Sequence, residues 1–265
     1  MTDAQHIHGP NGTSATNMRG QVLLVGAGPG DPELLTVKAL RAIEGADVIL
    51  HDRLISDDIL ALAPGAARMI PVGKEGFGPS VPQEVTNGLM IDHARAGARV
   101  VRLKSGDPGI FGRLEDEVSV LEAADIPYTV VPGITAASAA AASMGQGLTQ
   151  RGRNAALRIL TGHDMAGFAE QDWRGLAAPG AVAAIYMAKR SARFIQGRLM
   201  MHGAAPDTPV AVVENASRPD QTTRASTLAA LPATVANLKG PAVLLYGLAP
   251  RAAAHSLTHL QEVQS

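Results

Sequence analysis

The sequence contains no cysteine. That excludes disulfides and thiolate metal sites, and it suits a reducing compartment. Aromatic residues fill only 3% of positions, with a single Trp. This is too few for a stacking surface that grips single-stranded nucleic acid. No excess of one charge exists either: 23 Lys and Arg face 24 Asp and Glu, and no basic block stands out. Neither nucleic acid nor an anionic membrane is therefore an expected partner. No apolar run approaches the roughly 20 residues that span a bilayer. The opening MTDAQHIHGPNGTSATNMRG lacks the apolar centre of a signal peptide. Residues 1–19 read as a flexible tail, and the expected location is the cytoplasm. His51, His93, His163 and His202 lie far apart and form no metal-ligand spacing, so no metal is expected.

What remains is a chain of 265 residues, 46% hydrophobic, long enough for one large domain or two compact ones with real cores. From Gln21 short apolar runs alternate with helical segments. Strands are predicted at 21–25, 47–50, 67–72, 98–104 and 128–131, and again at 156–161, 181–187, 209–214 and 241–247. Asp31-Pro32-Glu33 is a strong helix start, because Asp caps, Pro suits the first turn and Glu favours the positive helix end. That helix is expected to run to about Ile43. Others are expected at 82–95, 115–124, 136–144, 191–201 and 227–238. The alternation predicts α/β architecture with mostly parallel sheets and helices on both faces. We expect an N-terminal α/β domain at 20–134, a C-terminal α/β domain at 135–250, and a last helix or tail at 251–265.

The unusual residues share a position. Asp52, Lys74, Ser105-Gly106-Asp107 and Thr135 each fall just after a predicted strand, and Met187 and Glu214-Asn215 do so in the second half. Open α/β sheets bind ligands outside the carboxyl ends of their strands, so one cleft between the halves is expected. GAGPG (26–30) resembles part of a dinucleotide fingerprint. However, Asp31 stands where the last Gly of G-x-G-x-x-G belongs, and an acid there repels pyrophosphate. An uncharged or cationic ligand fits the loop better than NAD, although Asp47 and Asp52 lie where a ribose acid would. No G-x-S-x-G or cysteine nucleophile is present.

GAGPGDPELLT, HDRLIS, VGK, RLKSGDPGIFGR, VPGITAA and YMA occur in order between Gln21 and Gly247. Together they make the chain similar to the uroporphyrinogen-III C-methyltransferases of the tetrapyrrole methylase family. The resemblance implies two α/β domains with a ligand cleft between them, the fold of class III S-adenosylmethionine-dependent methyltransferases, usually as a homodimer. It implies C-methylation of uroporphyrinogen III at C2 and C7, giving precorrin-2 and S-adenosylhomocysteine for sirohaem, cobalamin or haem d1. A related methylase acting on another corrin precursor is the alternative, and a nicotinamide oxidoreductase a weaker one. By position in these motifs, Pro29, Ser105, Gly106, Asp107, Ile110, Thr135, Ala136, Met187, Ala216 and Ala242 are implied to bind S-adenosylmethionine. Asp52 matches the proposed proton acceptor, Lys74 the proposed donor, and Arg113 a substrate-activating arginine. An octacarboxylate acceptor needs cations, for which Arg53, Arg151 and Arg153 are candidates, with Asp116 on the acceptor side. The chain departs from the family pattern at four places: Ser105 replaces a usual Gly, Arg113-Leu114-Glu115-Asp116-Glu117 replaces Arg-Gly-Gly-Glu-Glu, Gln150 replaces His, and Ala188 replaces the Gly after Tyr-Met; the change at 114–116 bears on the acceptor side.

Overall fold

The computed structural model describes residues 20–73, 81–165 and 167–251. Lys74 lies outside the described residues, as do the expected tails before Gly20 and after Arg251. The first half holds β1 (Gln21–Gly26), β2 (Val48–His51), β3 (Arg68–Pro71), β4 (Arg99–Lys104) and β5 (Tyr128–Val131). They form one parallel sheet in the order β3-β2-β4-β1-β5. Its central strands are apolar on both sides because both faces are covered. Leu23, Val25, Ile49, Val101 and Leu103 face α1 (Val37–Glu44) and α2 (Asp57–Leu60). Val22, Leu24, Leu50 and Val100, one residue out of phase, face α3 (Gln83–Arg95) and α4 (Leu114–Ala123).

The chain then enters α5 (Ala136–Ser143), an alanine-rich helix of high intrinsic propensity capped by Thr135, whose Oγ1 accepts the Ser138 N–H at 3.2 Å. Ala137, Ala140 and Met144 pack against the second sheet, on Val182, Ala184, Ala211 and Val213. That sheet comprises β6 (Arg158–Thr161), β9 (Ala183–Tyr186), β10 (Pro209–Glu214), β11 (Thr222–Thr227) and β12 (Ala242–Tyr246), in the order β11-β10-β12-β9-β6. A two-stranded hairpin, β7 (His163–Asp164) and β8 (Gly167–Phe168), follows β6. The opposite face carries α6 (Trp173–Ala177), α7 (Ala192–Met201) and α8 (Leu231–Val235).

Three expectations are corrected. The second sheet is not mostly parallel: only β6 and β9 pair in parallel, and β9–β12, β12–β10 and β10–β11 are antiparallel. For β10 and β11 the cause is length, because the seven residues 215–221 are too few for the crossover of a dozen or more that parallel strands need. The helix expected from Asp31 is a 3-10 turn, Pro32–Leu34, followed by α1, whose cap is Thr36 with its Oγ1 accepting the Ala39 N–H at 3.0 Å. The helix expected at 227–238 shrinks to α8, since 222–227 is strand and Pro232 fits only a helix's first turn.

Candidate active site

Every strand of a parallel sheet ends on the same edge, so the loops after β1, β2, β4 and β5 converge there. Glycine sets how closely they approach. Gly28 and Gly106 exchange two backbone hydrogen bonds, of 3.2 and 2.7 Å. A Cβ on Gly26 would lie 2.6 Å from the Gly133 nitrogen and 2.7 Å from the Gly106 oxygen, and one on Gly133 would collide with that same oxygen. Gly106 itself has φ +71°, and a Cβ there would meet nothing within 4 Å. Bare backbone at Gly106 thus faces open space. Asp107 locks the arrangement: Oδ1 accepts the Gly109 N–H at 2.8 Å and Oδ2 the Gly133 N–H at 2.9 Å. The Ile110 N–H donates to the Asp107 carbonyl at 3.1 Å.

Among the described residues the second half reaches these loops at two places. Ser217 Oγ accepts the Asp31 N–H at 3.1 Å, and the Arg218 guanidinium donates to the Pro29 carbonyl at 3.5 Å and the Leu54 carbonyl at 2.5 Å. Pro29 and the stretch 216–218 are thereby brought together. The Asn215 N–H donates to the Pro241 carbonyl at 2.9 Å, and Ala242 pairs with Glu214, two residues before Ala216. At the other contact the Phe111 ring lies 5.6 Å from the Tyr186 ring, whose hydroxyl accepts the Ala137 N–H at 3.0 Å. Thr135 and Ala136 sit on this junction. Met187 follows Tyr186 in the left-handed region at φ 54° and is 53% exposed.

Asp52 is in the β2 loop, and its Oδ1 accepts from Arg102 Nη2 at 2.6 Å. Arg102 is not among the site residues that the sequence motifs single out. Arg102 Nε donates to Glu117 Oε1 at 2.9 Å, and Lys104 Nζ donates to Glu117 Oε2 at 2.8 Å. Glu117 is fully buried, and Gln83 on α3 also donates to it at 3.3 Å. Alternation explains the cluster. Arg102 and Lys104 stand two apart on β4, on the face that meets α3 and α4, so α4 must present an acid to them. Two cations in phase within the buried run VVRLK were the signal available in the sequence. Burial and the neighbouring Arg102 charge push the Lys104 ammonium below its ordinary range, against the pull of Glu117. Burial opposes the charge on Arg102 as well, but Asp52 and Glu117 outweigh it and hold the guanidinium above its ordinary value. Burial raises the Tyr186 hydroxyl.

The acceptor-side residues are less gathered. Arg113 caps α4 from the left-handed region, φ 56°, and its Nε donates to Asp116 Oδ2 at 2.8 Å; it is 59% exposed. Arg53 follows Asp52 and is exposed, and Arg151 is exposed in the turn at 151–153. The Arg153 guanidinium donates to Gly147 O, Gln150 Oε1 and Asn154 Oδ1. A separate cavity of about 380 Å³, lined by Pro179, Gly180, Thr208 and Tyr246 among others, opens at the other end of the second sheet from Met187. No charged side chain lines it. Among the described residues no cluster of His, Asp or Glu could hold a metal ion, and no helix is long and apolar enough to cross a membrane.

The tetrapyrrole (corrin/porphyrin) methylase family matches residues 21–232. A siroheme synthase of Edwardsiella ictaluri is 47% identical over 229 residues, 86% of this chain and 50% of that protein. Siroheme synthase 3 of Aeromonas hydrophila is 46% identical over 228 residues, 86% of this chain and 49% of that protein. The chain thus spans about half the length of the curated relatives it matches. Among solved structures, the uroporphyrin-III C-methyltransferase of Thermus thermophilus complexed with S-adenosylhomocysteine is 38% identical, with a TM-score of 0.74 over 86% of this chain and 97% of that one. A cobalt precorrin-4 methyltransferase of cobalamin biosynthesis is 27% identical, with a TM-score of 0.79 over 89% and 98%. With its parallel and mixed sheets joined around the glycine-bound loops, the chain belongs to the tetrapyrrole (corrin/porphyrin) methylases.

Proposed function

We propose that this chain transfers methyl groups from S-adenosylmethionine to C2 and C7 of uroporphyrinogen III, releasing precorrin-2 and S-adenosylhomocysteine. The observation that carries the reading is the glycine-packed set of loops after β1, β4 and β5, with bare backbone over Gly106, beside a half-exposed Asp52. S-adenosylmethionine supplies an electrophilic methyl on a sulfonium. Such a cation is served by carbonyl oxygens and apolar walls more than by basic groups. The stretch Ser105–Ile110 offers no cation and one anion, Asp107, and small residues there let backbone approach a ligand closely. Pro29, Ser105, Gly106, Asp107, Ile110, Thr135 and Ala136 would hold the donor from the first half, and Met187, Ala216 and Ala242 from the second. Each Asp107 oxygen keeps a lone pair for a ligand hydroxyl or ammonium after its backbone bond.

Forming a bond at a pyrrole carbon requires a proton to leave the ring. Asp52 would accept it, because among the described residues its Oδ2 takes no hydrogen bond while Oδ1 is held by Arg102. Lys74 would return a proton. Arg113, Arg53 and Arg151 would pair with acceptor carboxylates in bidentate forks, with Asp116 releasing Arg113 as the acceptor arrives. We further propose that 20–134 and 135–250 are the two domains, and that the chain works in the cytoplasm as a homodimer. Exposed Met165, Phe168 and Met201 support the homodimer.

The likeness to a precorrin-4 methyltransferase favours the second reading, a related corrin precursor as acceptor. A nicotinamide is the weaker reading, since Asp31 stands where the third glycine of the dinucleotide fingerprint belongs. Anaerobic incubation with uroporphyrinogen III and S-adenosylmethionine, followed by mass spectrometry, tests the proposal. Gain of two methyl groups is expected. No gain with the donor bound would pass the assignment to the second reading.

A further inference from the structure

We infer that Arg102 is a positioning residue for Asp52, and that the buried carboxylate of Glu117 sets how strongly Arg102 holds it. The inference rests on the reading of Asp52 as proton acceptor. All three guanidinium nitrogens of Arg102 are engaged: Nη2 with Asp52 Oδ1 at 2.6 Å, Nε with Glu117 Oε1 at 2.9 Å and Nη1 with the Leu103 carbonyl at 3.2 Å. The side chain is 6% exposed, while that of Asp52 is 32% exposed. A planar fork tied at three points cannot turn. It therefore fixes one Asp52 oxygen inward, and among the described residues Oδ2 has no hydrogen-bond partner and is the oxygen to take a proton.

Charge balance gives Glu117 its part. Asp52, Arg102, Lys104 and Glu117 carry two negative and two positive charges, so the buried cluster is neutral when Asp52 is ionised. Removing either the Arg102 cation or the Glu117 anion therefore changes the field at Asp52. Among the described residues, His51 and Arg53 flank Asp52 on its own loop. On the packed elements α3 adds the neutral Gln83, and β1 adds Leu24 opposite Arg102. A purely structural role, riveting α4 to β4, would need none of this coupling to the loop after β2.

Two variants at opposite ends of the network separate the roles. In Arg102→Gln the Lys104–Glu117 pair survives and Asp52 loses its cation. The acid limb of the kcat–pH profile should then move up by about one unit or more, and kcat should fall at least about tenfold. In Glu117→Gln the shape and hydrogen-bonding atoms survive but the anion is lost, so Asp52 sits nearer uncompensated cations. The same limb should move down. The donor Kd should change less than threefold in both, a bound we set as roughly 0.6 kcal/mol. In an Asp52→Asn background Arg102→Gln should cost nothing further in kcat, because it acts through the carboxylate. Limbs that stay in place, or move together, overturn the proposal, as does failure of both variants to fold. If Asp52→Asn alone leaves kcat intact, the underlying assignment of Asp52 fails instead.

Discussion

At the scale of single residues, Gly26 and Gly133 decide whether the loops can meet. Gly133→Ala drives a methyl into the Gly106 carbonyl, backbone that cannot rotate away. The expected cost is roughly 1–3 kcal/mol, read by denaturant unfolding. Gly106→Ala meets nothing within 4 Å. Its stability loss should be no more than the roughly 1–2 kcal/mol of a left-handed alanine, while donor affinity, measured by calorimetry, should drop out of proportion. Equal losses at both positions would mean that Gly106 does not line the donor site. These glycines were legible as motif members. What each one touches was not, because the packing joins residues 26, 106 and 133, and no local pattern relates them. Arg102 and Glu117 were missed for a related reason: a buried charge network reads as a busy strand and a polar helix until the two are stacked. Lys104 carries a pH signature. Its folded value lies below the ordinary 10.5, so between the two values the unfolded chain binds more protons and stability rises with pH. The stability of the wild type relative to Lys104→Met should therefore grow as pH climbs toward 10.5, and a flat difference would refute the shift.

At the scale of elements, sequence signals placed most strands within a residue or two and erred where two signals competed. Asp31-Pro32 does start a turn, with Asp31 Oδ1 accepting the Glu33 N–H at 2.9 Å, but Leu35 is extended and Thr36 begins again. Thr36→Ala should therefore cost about 1 kcal/mol in unfolding free energy, the usual loss at a helix cap. An equal or larger loss from Asp31→Ala would show that the turn, and not α1, carries the segment. β11 was overlooked because TTRAST has no apolar face. It lies at the sheet edge, where threonine's strand preference suffices and polar groups discourage pairing with another chain. The second sheet's direction was misjudged by extending the rhythm of the first half. The short link at 215–221 was the clue that it could not hold.

At the scale of the whole molecule, Arg218 ties the two halves together. Its guanidinium spans the Pro29 and Leu54 carbonyls, one on the loop after β1 and one on the loop after β2. Arg218→Ala should leave the circular dichroism spectrum unchanged but raise the apparent Kd for the donor severalfold, because two carbonyls lose their charged partner and the halves lose alignment. An unaltered Kd would place the coupling elsewhere, with Phe111–Tyr186 the next contact to test.

The strand order has a further consequence, for synthesis. β1 emerges first, yet both of its neighbours, β4 and β5, come much later in the chain: Gln21 pairs with Arg99, and Val22 with Tyr128. Nothing made before Arg99 can occupy either flank of β1 in the native register. A ribosome-bound chain therefore carries its first glycine loop unsupported until the fifth strand has left the tunnel, and loop-closure entropy makes that pairing slow. Nascent chains arrested before Val131 should remain protease-sensitive at 26–31, and protection should appear only once β5 has emerged.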